Sequence, residues 1–185
     1  GTASANLAGA VGLDKTTAGT TTLSGTNTYT GTTTVSAGNL NLNSAGTAIA
    51  GNLTVAGGTA TLQAADQIAD GKNVVVTSGT LDVASFNDTV NGVQITGGTI
   101  TGTTGALTST TAFDLQAGTV SAILGGTAGA NKTTAGTVTL SKTNTYTGAT
   151  TVSAGTLTLG HATNTLADAS TVVVSGGTLD LGGNA

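Results

Sequence analysis

The chain has few side chains that could do chemistry, and they are far apart. It contains eight Asp, four Lys and one histidine, His161, but no Glu, Arg or Cys. Hydrolysis or elimination of an acidic polysaccharide needs clustered carboxylates, often with a cation beside them. The nearest pair, Asp66 and Asp70, lies in a predicted turn, where solvated carboxylates are ordinary. We therefore predict no catalytic, cofactor-binding or metal-binding residue, and we expect a protein that is not an enzyme.

Composition excludes several other classes of function. The formal charge is −4 and aromatic residues make up 2 % of the chain, so the basic face and stacking aromatics of a nucleic-acid-binding protein are lacking. His161 is the single histidine and is expected to be an exposed loop residue. No apolar run is long enough for a membrane span or a signal peptide. We expect any targeting signal to lie outside this segment.

A long internal repeat of 117 residues organises the sequence. Lys15-Thr-Thr-Ala-Gly19 returns as Lys132-Thr-Thr-Ala-Gly136. Extending the same offset to the first residue divides the chain into 1–117 and 118–185. Both parts are predicted to belong to one continuous repeat segment, 1–185, of a longer protein.

A shorter repeat of 18–22 residues lies inside the long one. Each copy has a glycine, then usually Thr, then two apolar residues separated by one polar residue, as in Gly155-Thr-Leu-Thr-Leu159. The ten repeat glycines are Gly1, Gly19, Gly38, Gly58, Gly79, Gly98, Gly118, Gly136, Gly155 and Gly177. Glycine at such a bend permits a tight corner or a positive φ.

Alternation of apolar residues predicts two short strands in each copy, with a looser third side that holds Ile49, Ile68, Leu107 or Leu166. One copy is then one coil, and successive coils stack. The predicted fold is all-β, a right-handed parallel β-helix of about ten coils. The competing architecture is an antiparallel sandwich, but its turns usually recur every 8–12 residues.

The two best copies carry a specific motif. Residues 22–42 and 139–159 share Leu-Ser-x-x-Asn-Thr-Tyr-Thr-Gly followed by Thr-Val-Ser-Ala-Gly. They resemble the autotransporter-associated β-strand repeat, also called the passenger-associated transport repeat, of type V secreted proteins. The resemblance implies a parallel β-helix in a surface or secreted protein of a Gram-negative bacterium, where the repeat assists export and builds a stalk. No membrane barrel is recognised in this segment, so the export route stays open.

Two surface features follow from the predicted coils. Tyr29 and Tyr146 occupy equivalent corners, where we expect each ring to cap a coil edge with its hydroxyl in water. The first and third residues after the repeat glycines should face outward and form two columns. The threonines of these columns are Thr20, Thr22, Thr59, Thr61, Thr99, Thr101, Thr137, Thr139, Thr156 and Thr158. Such an array resembles the ice-binding faces of β-solenoid antifreeze proteins, although Thr also simply suits exposed strand positions.

The favoured function is a non-catalytic stalk or fibre segment of an exported bacterial surface protein, supporting export, surface display or adhesion. Neither end of the chain has the sequence of a polar cap. We therefore expect either continuation of the coils in a longer chain or end-to-end stacking of copies into a filament. Ice binding is a minor alternative. The expected partners are further copies or coils and a host-surface or matrix receptor.

Overall fold

The computed structural model describes residues 1–161, 165–167 and 170–183. In this part of the chain every regular element is a β-strand, and no helix could cross a membrane. The strands are β1 (Thr2–Ala3), β2 (Leu13–Lys15), β3 (Thr20–Leu23), β4 (Thr33–Val35), β5 (Asn39–Leu42), β6 (Leu53–Val55), β7 (Thr59–Leu62), β8 (Asn73–Val76), β9 (Thr80–Asp82), β10 (Asp88–Val90), β11 (Gly92–Ile95), β12 (Thr99–Ser109), β13 (Phe113–Leu115), β14 (Gly118–Gly125), β15 (Ala130–Lys132), β16 (Thr137–Leu140), β17 (Thr150–Val152), β18 (Thr156–Leu159), β19 (Val172–Val174) and β20 (Thr178–Asp180).

These strands form two parallel sheets whose strands alternate along the chain. One sheet has the order β1-β3-β5-β7-β9-β12-β14-β16-β18-β20, with β10 paired to β12, and the other runs from β2 to β19. Apart from β10, a strand of one sheet is followed by a strand of the other, so each coil contributes one strand to each sheet. The chain is a right-handed parallel β-helix of about nine turns, which confirms the predicted fold.

Alternation of apolar and polar residues places the core between the sheets. Leu40 and Leu42 are buried, whereas Asn41 between them faces outward. Equivalent residues stack from coil to coil: Val55 pairs with Val35 on one side and with Val76 on the other. Burying an aliphatic side chain contributes about 1.5–3 kcal/mol, and here each one packs on like neighbours above and below.

The third side of the coil is less regular, as predicted. Ile49 and Ile68 are fully buried and joined by an isolated parallel bridge, and Leu107 is also buried. Leu166 is partly buried against the core. In the middle of the molecule this side becomes a regular strand pair, because β10 pairs with the second half of β12.

The register differs from the glycine alignment at two places. Thr2 pairs with Thr22 rather than Thr20, so Gly1 is not aligned with Gly19. Gly118 pairs with Val138 rather than Gly136. At both places the repeat glycines, Gly1 and Gly19 or Gly118 and Gly136, are 18 residues apart. A shift of two residues lengthens the coil to 20 residues while leaving the alternation of inward and outward side chains unchanged.

Candidate functional site

The residues considered for catalysis do not form a site in the structure. Asp66 and Asp70 are exposed. His161 is partly exposed, and its backbone oxygen accepts a hydrogen bond from Thr165 Oγ1 at 3.1 Å. Within the described residues, no three His, Asp, Glu or Cys side chains are grouped so that they could hold a metal ion. Asp168 lies outside the described residues. The absence of enzymatic activity stays a prediction.

Asp88, in contrast, is a buried carboxyl with a defined role. Its side chain is 1 % exposed, and Oδ2 accepts hydrogen bonds from the backbone N–H groups of Gln67 (2.8 Å) and Ile68 (3.0 Å). Oδ1 is buried and has no hydrogen-bond partner among the described residues. Burial raises the pKa of Asp88 to about 7, the two N–H groups oppose this, and the charges of Asp66 and Asp70 add to it. Asp88 therefore links two coils and is closed to a polymeric substrate.

The asparagine of the Asn-Thr-Tyr motif connects three coils. Asn27 Oδ1 accepts a hydrogen bond from the backbone N–H of Leu7 (2.8 Å), and its Nδ2 donates to the backbone oxygen of Ala48 (2.7 Å). Asn144 repeats this arrangement with Leu124 N (2.9 Å) and Thr165 O (2.8 Å). Every partner in the second set lies 117 residues after its counterpart in the first. Sequence reasoning missed this role, although the signal was present in the recurrence of Asn two residues before each Tyr.

Gln67 makes a comparable set of contacts in the coils between the two asparagines. Its Oε1 accepts a hydrogen bond from the backbone N–H of Ser44 (2.7 Å), and its Nε2 donates to the backbone oxygens of Ser44, Gly46 and Ala65. The side chain is 1 % exposed. A buried amide thus pairs backbone groups that the sheets leave unpaired on the third side of the coil.

The prediction for the two tyrosines was wrong. Tyr29 is 2 % exposed and Tyr146 is fully buried. The Tyr146 hydroxyl is hydrogen-bonded to Thr150 Oγ1 at 2.8 Å, and the Tyr29 hydroxyl is hydrogen-bonded to Thr33 Oγ1 in the same way. Burial raises the pKa of both tyrosines, and the hydrogen bond to threonine opposes it. A threonine four residues later supplies the partner that lets the ring turn inward rather than cap the edge.

The two segments with these shared contacts also match a known family. The family model of the passenger-associated transport repeat matches residues 13–42 and 131–159, together about a third of the chain. Both segments are thus similar to the passenger-associated transport repeat. A search of curated proteins and a search of solved structures found no match. The repeat implies an exported protein, at the cell surface or outside the cell, and repeat and fold together fit an autotransporter passenger segment.

Each matched segment has a buried lysine near its start. Lys15 is 7 % exposed and Lys132 is fully buried. The Lys132 ammonium donates to the backbone oxygen of Thr134 and to Thr134 Oγ1 (3.3 Å), and Lys15 donates to the backbone oxygens of Thr17 and Ala37. Burial lowers the pKa of Lys132, and the charge of Asp114 opposes this. The lysine ammonium groups therefore donate hydrogen bonds to backbone carbonyl groups at a corner of the coil.

The repeat glycines are required mainly because successive coils come close at the corner. A Cβ on Gly155 would lie 2.3 Å from the backbone oxygen of Gly136 and 2.7 Å from Lys132 Nζ, and the φ of Gly155 is +63°. Gly79 lacks a positive φ, yet its Cβ would lie 2.3 Å from the oxygen of Gly58. At Gly19, which the shifted register does not stack on Gly1, a Cβ would meet nothing within 4 Å.

The predicted threonine columns face outward, but their members change after Thr119. Thr20 pairs with Asn39, which pairs with Thr59, and this column continues to Thr119. Between β14 and β16 the register shift places Thr139, rather than Thr137, beside Thr119. Thr137 instead begins a separate column with Thr156. The column from Thr20 therefore runs on through Thr139 and Thr158 to Asp180. Asn and Asp residues interrupt the array, and ice binding stays a prediction.

Proposed function

We propose that this chain is a non-catalytic stalk segment of a bacterial surface protein, an autotransporter passenger or a protein built like one. The observation that carries this proposal is the unbroken pairing of each sheet from its first strand to its last. Ten strands at about 4.8 Å spacing give a rod about 43 Å long. Such a rod holds whatever is attached at one end at a fixed distance from the other.

The interior supports the same role. Its buried polar side chains, including Asn27, Gln67, Asp88 and Asn144, make bonds between coils and so strengthen the rod along its axis. The passenger-associated transport repeats supply the link with export, and a Gram-negative cell surface is the setting in which such a stalk would display an adhesive region.

The stalk role is tested by shortening the rod in cells that carry the gene. An epitope is placed before residue 1, and residues 1–117, one long repeat, are removed. Because the repeat contains six coils, the epitope should remain on the surface but approach the cell by about 29 Å, and a large antibody should bind it less well in flow cytometry than a small nanobody. Equal access for both probes, or loss of display by a variant that still folds, would overturn the proposal.

The second candidate is a filament of stacked copies. Val172, Val173, Val174 and Leu181 are 39–50 % exposed, and Val11 is 71 % exposed. Val172 and Val174 continue the inward-facing columns of Thr150 and Val152, so they present apolar surface along the rod axis. Another coil or another copy would cover this surface.

Light scattering at increasing protein concentration distinguishes the two candidates. A filament requires the mass to grow with concentration, and Val172→Lys with Val174→Lys should restore the monomer mass. The double variant Thr20→Lys with Thr59→Lys, on the side of the rod, serves as the control. A constant monomer mass would leave the stalk as the function.

A further inference from the structure

A groove on the outer face of the second sheet crosses three coils. It has a volume of about 270 Å³ and lies across β8, β11 and the start of β13. The side chains that bear on the argument are Asn73, Val75, Gln94, Thr111, Ala112 and Asp114. The passenger-associated transport repeats matched at residues 13–42 and 131–159 do not include it.

The groove exists because Gly92 has no side chain. Gly92 pairs with Asn73 of the preceding coil. A Cβ on Gly92 would lie 3.1 Å from Asn73 Oδ1 and 3.0 Å from Thr111 Oγ1. Gly92 has no positive φ, so its conformation would accept another residue. The glycine therefore opens space between two polar side chains and is not required by the turn of the backbone.

Hydrogen-bond acceptors are fixed in position at one side of the groove. Asp114 Oδ2 accepts hydrogen bonds from Gln94 Nε2 (2.6 Å) and Gln116 Nε2 (2.8 Å). The side-chain amides of Gln94 and Gln116 thus each donate one hydrogen bond to the same carboxylate oxygen. No donor among the described residues is hydrogen-bonded to Asp114 Oδ1. Gln94 and Asp114 both line the groove, so the Gln94 amide oxygen and Asp114 Oδ1 are acceptors available to a ligand there.

The rest of the groove is small and apolar. Val75 is partly exposed on the outer face of β8, and Ala112 is exposed beside Gly92. A volume of about 270 Å³ equals the space of about nine water molecules in the liquid. It lies just below the range of about 300–1,000 Å³ that is typical of sites for drug-sized ligands.

We propose that this groove binds a neutral saccharide, with one pyranose ring seated between Asn73 and Asp114. The hydroxyl groups of a sugar donate to the acceptors on Gln94 and Asp114, and its C–H face packs on Val75 and Ala112. The carboxylate of Asp114 disfavours an acidic sugar, as does a chain with no Arg and a net charge of −4. This binding site is independent of the stalk role.

The surroundings favour an oligosaccharide that runs along the rod. The column of Gly92 and Ala112 continues through Gly129 to Ala149, which carry no side chain or only a methyl group. Successive coils are about 4.8 Å apart, close to the length of one sugar unit in an extended glycan. A linear trisaccharide should therefore bind more tightly than a single sugar.

The test is a titration of the ¹⁵N-labelled chain with N-acetylglucosamine and with its linear β-1,4 trimer, followed by amide chemical shifts. We expect shifts confined to residues 73–75, 92–94 and 111–116, with at least tenfold tighter binding of the trimer. Absence of shifts, shifts centred on another face, or equal binding of glucuronate would overturn the proposal.

Variants that fill the groove complete the test. Gly92→Asn introduces the side chain found at the paired position, Asn73, and should weaken trimer binding at least tenfold. Thr54→Asn, on the outer face of the same sheet but outside the groove, should leave it unchanged. Ala112→Asn provides a second blocking variant if the first does not fold. Unchanged trimer binding in a folded blocking variant would contradict the assignment.

Discussion

Single amide side chains determine how the third side of the coil is held together. The backbone N–H and C=O groups of this side form few of the regular hydrogen bonds that pair strands within a sheet. Asn27, Gln67 and Asn144 reach into neighbouring coils and bind peptide groups there. A buried amide group without such a partner would cost about 1–3 kcal/mol, so each of these side chains is worth more than an average surface residue.

Asn144→Ala should lower the free energy of unfolding by about 1–3 kcal/mol, because the backbone N–H of Leu124 loses the side-chain oxygen that accepts its hydrogen bond. The oxygen of Thr165 keeps its bond from the Asn144 backbone N–H. Urea denaturation followed by circular dichroism measures the change. Asn43→Ala, at an exposed asparagine, is the control and should change stability by less than about 0.5 kcal/mol. Equal effects of the two substitutions would exclude the bridging role.

The raised pKa of Asp88 predicts that this residue's contribution to stability decreases as the pH rises. The folded chain keeps a proton on this carboxyl up to a pH of about 7, whereas the unfolded chain loses it near 3.8. The folded state binds more protons in this interval, so the contribution of Asp88 to stability is full below about pH 4, falls as the pH rises to about 7, and is level above that.

Asp88→Asn should remove this fall, which is on the order of 2–4 kcal/mol. Urea denaturation between pH 4 and pH 8 measures it. Asp14→Asn, at an exposed carboxylate, should retain the pH dependence of the wild type. If the stability of the wild type rises between pH 4 and pH 7 and Asp88→Asn does not alter the profile, Asp88 is ionised in the fold.

At the scale of strands and turns, the corners of the coils accept fewer residue types than the strands do. A strand position accepts Val, Leu, Ile, Thr or Ala as long as alternation is kept. At a corner, the backbone of one coil lies against the carbonyl groups of the coil before it. A single added methyl group would clash with those carbonyl oxygens. Stacking of corners, rather than the local turn alone, is therefore what makes glycine necessary.

Gly155→Ala should destabilise the protein by more than about 2 kcal/mol, because the new methyl group meets two backbone oxygens at 2.3 Å and the φ is positive. Gly71→Ala is the matched control, since a Cβ there meets nothing within 4 Å and the φ is not positive. Thermal denaturation of both variants provides the comparison. Similar melting temperatures would show that the corner relaxes to admit a side chain.

The sequence predicts the strands, the coils and the parallel stacking, because the alternation of Leu40 with Leu42 and the spacing of the glycines reflect packing directly. It does not predict the two-residue shift at Gly118, since a shift by an even number of residues leaves every side chain on its face. The inward position of Tyr146 depends on a hydrogen bond to Thr150 within the core. The groove at Gly92 depends on residues from three coils, which no single stretch of sequence displays.

At the scale of the whole molecule, the two long repeats are interchangeable at their boundary. Gly1 and Gly118 have the same shifted register, and Leu7 and Leu124 donate to equivalent asparagines. A second copy of residues 1–117, inserted after Ala117, should therefore continue the helix and lengthen the rod by about 29 Å. Small-angle X-ray scattering measures the length. An insertion of residues 1–107 breaks the register and should give a misfolded or bent particle, whereas equal lengths for the two variants would contradict a 117-residue structural unit.

The parallel ladders also have a mechanical consequence. Their hydrogen bonds run along the rod, from one coil to the next, so a pull on the two ends loads the interfaces between coils in series. Each interface carries the whole force, and the first to part is the one with the fewest bonds. The side chains of Asn27 and Asn144 each form hydrogen bonds to the coils on both sides, so two neighbouring interfaces depend on the same residue. Under tension the rod should therefore unfold several coils at a time at these points rather than one coil at a time.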